Sequence, residues 1–366
     1  MAVKHLAGER LQGTAAERTA MTTSYSNIPQ TYYKELARTT LSSAGDVLDS
    51  GTFTAKDNLM ILIIGYKSGG AQIEDMTFNN DTGNNYAMRF SENHGNSSEV
   101  SRASIQLGID SEDDEFAIIK VRNIANKEKF CFGRTSVRGS AGAGYIGNRL
   151  EVTGKWANTS NAITRVTITN PHSGSLDTGS EIVVLGCDDD EANSGTNYWQ
   201  QLDSQTSTSG SDSKITSNTF TAKKYVYFQC HVSSINNTNM GNSHIRFGAS
   251  GTIDTNNNYA YRTNINDGND GTNTTQSGIY CQDYASSSGG DHGGILIEGY
   301  AINVANKEKL VIHLSTEGMS GAGTANRKMR GTGKWVETSA QFNIMEIYFG
   351  GSDRATAGEL RVWGAN

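Results

Sequence analysis

Hydrophobic positions in this chain fall into short runs rich in Ile, Val, Tyr, Phe and Thr, separated by clusters of Gly, Asn, Ser and Asp. Apolar runs of this kind, bounded by turn formers, predict β-strands. In the first half they lie at 59–66, 73–78, 86–90, 103–107, 116–122, 129–137, 163–169 and 181–185. In the second half they lie at 225–232, 244–247, 259–263, 278–282, 295–304, 309–316, 342–349 and 359–363. No long amphipathic helix separates them, so a parallel α/β fold, which needs helical crossovers, is excluded. The expected fold is all-β, built from antiparallel β-sandwiches of jelly-roll type.

The pattern occurs twice. Phe53-Thr-Ala-Lys56, Asn84-Asn-Tyr-Ala87 with Arg89, Ala125-Asn-Lys-Glu-Lys129, Asn148-Arg149 and Thr153-Gly-Lys-Trp156 recur in order from Phe220, Asn257, Ala305, Asn326 and Thr332. Tyr32 to Leu36 answers Tyr198 to Leu202, and Gly179 to Gly186 answers Ala357 to Gly364. Phe53 and Phe220 are 167 residues apart, Asn84 and Asn257 173, Ala125 and Ala305 180, and Thr153 and Thr332 179. The second copy has therefore gained residues within 233–255 and 264–294, both of loop composition. Such a period is a duplicated domain rather than a solenoid repeat. The expected layout is an N-terminal arm (1–23), one sandwich (24–188), a linker (189–197) and a second sandwich (198–366), with the acid run Asp188 to Glu191 solvated in the linker.

The repeated words have structural readings. Ala-Asn-Lys-Glu-Lys predicts a turn with a left-handed Asn and a Lys-Glu-Lys tip in water. Thr-Gly-Lys-Trp reads as a turn feeding a Trp that plugs one end of each sandwich. Asn-Asn-Tyr after Asp81-Thr-Gly or Asp254-Thr-Asn reads as a hairpin turn opening a strand, with Arg89 and Arg262 near the surface or between domains.

Composition narrows the function. A net charge of −7 with both signs scattered argues against a nucleic-acid partner. The start of the chain has no apolar core of a secretory signal, and no run reaches membrane-spanning length, so membrane insertion is not expected. Cys131, Cys187, Cys230 and Cys281 occupy no equivalent positions in the two copies, which fits reduced, buried fillers better than an ancestral disulfide or a zinc site. The seven His do not match between copies, and no nucleophile elbow, P-loop, zincin helix or dinucleotide fingerprint is present. No catalytic residue or cofactor is assigned, and the chain is expected to be non-enzymatic. The sharpest local candidate is Asn266 to Gly271, where Asp267, Asn269 and Asp270 offer the oxygen ligands a hard cation such as calcium takes; it lacks the bidentate Glu of an EF-hand, and plain turns use the same residues. Tyr261, Tyr280 and Tyr284 of the second sandwich are candidate glycan-facing residues.

Asn-Asn-Tyr-Ala-x-Arg, Ala-Asn-Lys-Glu-Lys, the Gly154 to Ile163 stretch, the Gly179 to Gly186 stretch and Gly8-Glu-Arg-Leu-Gln-Gly-Thr14 form an order of words that resembles structural proteins of tailed viruses of aquatic bacteria and archaea. The resemblance covers most of the first copy and, more loosely, the second. It implies a virion component assembled in the host cytoplasm: a shell or decoration subunit, or a fibre-like projection. Its partners would be copies of itself and other virion proteins. Two other readings accompany it: a carbohydrate-binding adhesion module that grips host-surface glycans, and a double jelly-roll major capsid protein.

Overall fold

A computed structural model of the chain describes residues 32–70, 74–108, 113–189, 191, 197–207, 212–235, 242–282, 292–319, 326–350 and 355–366; at 233–235, 292–293, 318–319 and 355–356 it describes the backbone alone. The arm expected at 1–23 lies outside these residues. The chain forms two tandem antiparallel β-sandwiches with the same strand order. In the first, the eight strands of the large sheet run, edge to edge, Lys34–Thr40, Glu181–Cys187, Asn58–Gly65, Glu115–Arg122, Lys129–Val137, Asn148–Trp156, Tyr86–Glu92 and Gly95–Arg102. In the second the order is Gln200–Ser207, Ala355–Ala365, Tyr225–Ile235, His292–Ile302, Lys309–Met319, Arg327–Trp335, Tyr259–Ile265 and Asp270–Gln276. A smaller sheet covers one face of each, built on Val47–Asp49, Val166–Thr169, Asp75–Phe78 and Ile105–Gln106 in the first and on Lys214–Thr216, Ile344–Tyr348 and Ser243–Ala249 in the second.

Side chains alternate across a strand, so each large sheet has an inner and an outer face. Leu59, Ile61 and Ile63 enter the core of their own sandwich. Met60, Leu62 and Ile64, on the opposite face, join a third core made by both copies together with Phe116, Ile118, Tyr225, Tyr227, Tyr300, Leu310, Ile312 and Trp363. The two large sheets thus share an apolar layer on their outer faces. Trp199, at the junction of the copies, packs against Tyr227 and Tyr300 with ring centroids 6.1 Å away in each case. Several polar groups at this junction are paired. Glu181 accepts from Tyr225 Oη at 2.7 Å and lies 2.8 Å from Arg38 and 2.9 Å from Lys224. Burial pushes the Glu181 carboxyl up, but hydrogen bonds from Thr40, Tyr225 and Lys224 outweigh it and hold it below the ordinary range.

The repeated words form one clamp, built twice. Trp156 Nε1 donates to Asp81 at 2.7 Å and Trp335 Nε1 to Asp254 at 2.8 Å. Tyr86 stacks on Trp156 at 6.4 Å and 16°, and Tyr259 on Trp335 at 6.4 Å and 18°. Each Tyr hydroxyl donates to the carbonyl of that Asp, at 3.0 and 2.9 Å. The Asp-Thr-Gly/Asn turn therefore carries the chain from the small sheet to the large one instead of closing a hairpin. Asn126 and Asn306 are left-handed, with φ of 60° and 64°. The last Lys of Lys-Glu-Lys is not in water: Lys129 and Lys309 are buried beside Trp156 and Trp335, and donate to carbonyls of Lys127 and Asn158 and of Lys307 and Glu337. Thr-Gly-Lys-Trp ends a nine-residue central strand rather than forming a turn. Its glycine is there for close approach: a Cβ would meet Ile105 at 2.8 Å in Gly154 and Ile279 at 2.6 Å in Gly333. The acid run is also engaged, since Asp188 and Glu191 bind Lys56, Glu191 binds Lys34, and Asp189 binds Arg122.

Two stability predictions follow from these contacts. Trp156→Ala and Trp335→Ala each lower unfolding free energy by about 3–5 kcal/mol in denaturant titration, because each removes a fully buried indole and strands an Asp. The fold is also acid-sensitive through His313, which is fully buried. Burial, with Arg134 and Arg149 nearby, pushes its pKa down to about 3 from 6.5; His244 is likewise pushed down to about 4, by burial and Arg246. The unfolded chain binds more protons below pH 6.5, so stability falls as pH drops from 6.5 toward 3. His313→Gln should flatten that dependence by up to about 1.4 kcal/mol per pH unit, read from melts between pH 7 and 4.

Candidate functional site

The outer face of the first large sheet is only partly covered by the second copy. Strand register places its outward residues in two cross-strand rows. One runs Asn58, Arg122, Phe130, Lys155, Ala87, and the next Met60, Lys120, Phe132, Thr153, Arg89, Ser98. Apart from the buried Met60, these rows floor an open groove of about 850 Å³, with Val100 and Tyr33 at its sides. Phe130 is 59% exposed, Phe132 55% and Val100 76%, so three of the six exposed large hydrophobics of the described residues meet in this groove. The neighbouring Cys131 points the other way, into the core.

Cations flank each aromatic ring. Arg122 is bound by Asp189 at 2.5 Å, Lys155 by Glu128 at 3.0 Å, and Lys120 lies 3.9 Å from Glu298 of the second copy. Burial lowers the Lys120 pKa, with Glu298 opposing. Arg102 and Glu99 pair at 2.7 Å on the far edge. The groove thus has an apolar centre and a rim carrying both signs, the anatomy of a protein-docking surface.

The same positions in the second copy have the opposite fate. Register equates Asn58, Lys120, Arg122, Phe130 and Phe132 with Tyr225, Tyr300, Ile302, Leu310 and Ile312. All five of these counterparts are buried in the layer shared with the first copy. Even the equivalents of Arg89 and Lys155 are engaged there: Arg262 donates to the carbonyl of Gly147 at 3.0 Å and Lys334 to that of Ser140 at 2.6 Å. One face of one scaffold is closed by a sandwich in the second copy and partly open in the first. Neither composition nor a motif marks the groove in the sequence. The usable signal was aromatic alternation in Lys129-Phe-Cys-Phe132, where two Phe fall on the face opposite the core Cys.

The residues proposed from sequence are placed as follows. Tyr261 is 5% exposed, its ring belongs to the core of the second sandwich, and its hydroxyl accepts from Asn273 at 3.0 Å. Tyr280 packs against that core and hydrogen-bonds Asn242 at 3.1 Å. Tyr284 lies outside the described residues. Asp267, Asn269 and Asp270 sit on the tight hairpin turn between Tyr259–Ile265 and Asp270–Gln276, with Asn266 and Asp267 at positive φ. Their side chains do not converge. Asp267 is exposed and binds Lys328 and Arg330, Asn269 is exposed, and Asp270 is held by Arg149 at 2.8 Å across the junction of the copies. Among the described residues, no three His, Cys, Asp or Glu are grouped to hold a metal ion.

No protein-family model matches the chain, and no curated protein matches it. Among solved structures, the chain is similar to domains LG4-5 of the mouse laminin α1 chain, over 89% of this chain and 88% of that one, at 11% identity and a TM-score of 0.21. A likeness that slight transfers no residue and no role.

The contrast between equivalent positions is directly testable. Phe132→Asp should change unfolding free energy by no more than about 1 kcal/mol, because more than half of the side chain is in water. Ile312→Asp, which places a charge in the shared layer, should cost about 4 kcal/mol or more. Equal losses in denaturant titrations of the two variants would mean that the first face is covered.

Proposed function

We propose that this chain is a non-enzymatic structural subunit of a virion, which works by presenting protein-docking surfaces on a fused pair of sandwiches. The observation that carries the reading is the open Phe130 and Phe132 groove, on a face that the second copy uses to pack against protein. Solvent-exposed aromatics with a mixed-charge rim favour a macromolecular partner over a small substrate. The sequence resemblance to structural proteins of tailed viruses supplies the setting, a particle assembled in the host cytoplasm. The placement of Tyr261 in a core, and of Asp267 and Asp270 in ion pairs, favours a protein partner over a glycan held through calcium.

The test is mass spectrometry of density-banded particles from cultures that carry the coding sequence. Peptides from both sandwiches should band with the particles at structural stoichiometry. Their restriction to the soluble fraction would overturn the reading.

A further inference from the structure

We propose that the Phe130 and Phe132 groove is the seat of a second copy of this chain, the two grooves meeting face to face about a two-fold axis. This rests on the reading of the chain as an assembly subunit and names the partner for the same surface.

Three observations converge on that occupant. The first is the duplication. At Leu310 and Ile312, the equivalents of Phe130 and Phe132, the fold already buries this face against a sandwich of its own kind. The scaffold therefore has the shape needed for sandwich-on-sandwich packing at that face, and in the first copy the face has kept two large apolar side chains on the part that the second copy leaves open. The second is continuity. Lys120 and Phe132 line both the open groove and a pocket of about 150 Å³ between the copies, where Phe132 faces the neighbourhood of Ile312, and Lys120 that of Tyr300. The open face thus extends an existing protein interface rather than standing alone.

The third is charge. The rim pairs Arg122 with Asp189, Lys155 with Glu128, and Arg102 with Glu99. A surface lined only with cations would repel itself across a two-fold axis. A rim of alternating sign can match itself, as an isologous interface requires, and closed two-fold dimers are the commonest symmetric assembly. The aromatic centre supplies the anchors, since exposed Phe side chains flanked by charged stems lose water to a partner of the same make.

The experiment uses the full chain in sedimentation velocity across a wide concentration range. The wild type should show a monomer–dimer equilibrium, and the double variant Phe130→Asp, Phe132→Asp should raise the apparent dissociation constant roughly tenfold or more, with its thermal midpoint kept. A second variant reads the symmetry. Val100→Cys places an exposed thiol in the groove, while the four native cysteines are buried. Mild oxidation should link it into a covalent dimer, and adding the two Phe substitutions should abolish the link. A wild type that is monomeric throughout overturns the proposal, as does a dimer indifferent to the Phe substitutions. An open-ended series of oligomers with no Val100→Cys link, the mark of head-to-tail packing, also overturns it. A monomer that nonetheless bands with particles would remove the dimer and leave the structural role standing; a dimer absent from particles would do the reverse.

Discussion

Joining two sandwiches through the outer faces of their large sheets requires those sheets to be apolar on both sides. A sandwich standing alone would keep one face of each sheet in water and read as alternating hydrophobic and polar residues. Here Leu59 to Ile64 is apolar at every position because odd-numbered residues serve one core and even-numbered residues another. The second copy meets the same demand with larger groups: Tyr225, Tyr227, Tyr300 and Trp363 fill the shared layer. Charges caught at its margin must be satisfied there, and Glu181, Asp270 and Glu151 each have a cation from the other copy within 2.9 Å or, for Asp270, 2.8 Å. Removing one member of such a pair leaves a buried charge whose desolvation is no longer offset.

That demand falls unequally on the two copies, although their strand registers correspond. Where the second copy has Tyr300, Ile302, Leu310 and Ile312, the first has Lys120, Arg122, Phe130 and Phe132. The stems of Arg122 and Lys155 beside the Phe130 ring cover apolar surface while keeping their charge in water. Part of the divergence of the copies therefore lies in what each outer face meets. The clamp of Asp, Tyr and Trp that closes each core has stayed alike because both sandwiches face the same packing problem there.

The clamp also explains why the repeated words are polar. Asp81 and Asp254 each satisfy an indole N–H, cap their own turn and carry the carbonyl that receives the Tyr hydroxyl. Lys129 and Lys309 thread beneath the same Trp rings to reach loop carbonyls. Buried polar groups persist when their partners are built into the fold, and each of these has an equivalent partner in both copies.

Much of this was legible beforehand. The sequence by itself determined the all-β class, the duplication, the order of the matching strands and the burial of Trp156 and Trp335, because each is written in local composition or in spacing between repeated blocks. Glycine misled where tertiary contact set its role: Gly154 and Gly333 look like turn residues but lie in central strands, making room for Ile105 and Ile279. Polarity misled in the same way at Lys129 and Lys309, which are buried beside Trp156 and Trp335, and at Asp267 and Asp270, whose partners are distant in sequence. Only the tertiary structure decided that the outer face of one large sheet is buried and its equivalent partly open, and so where the candidate site lies. Alternation with a period of two tells which residues share a face. It carries no information about what that face will meet.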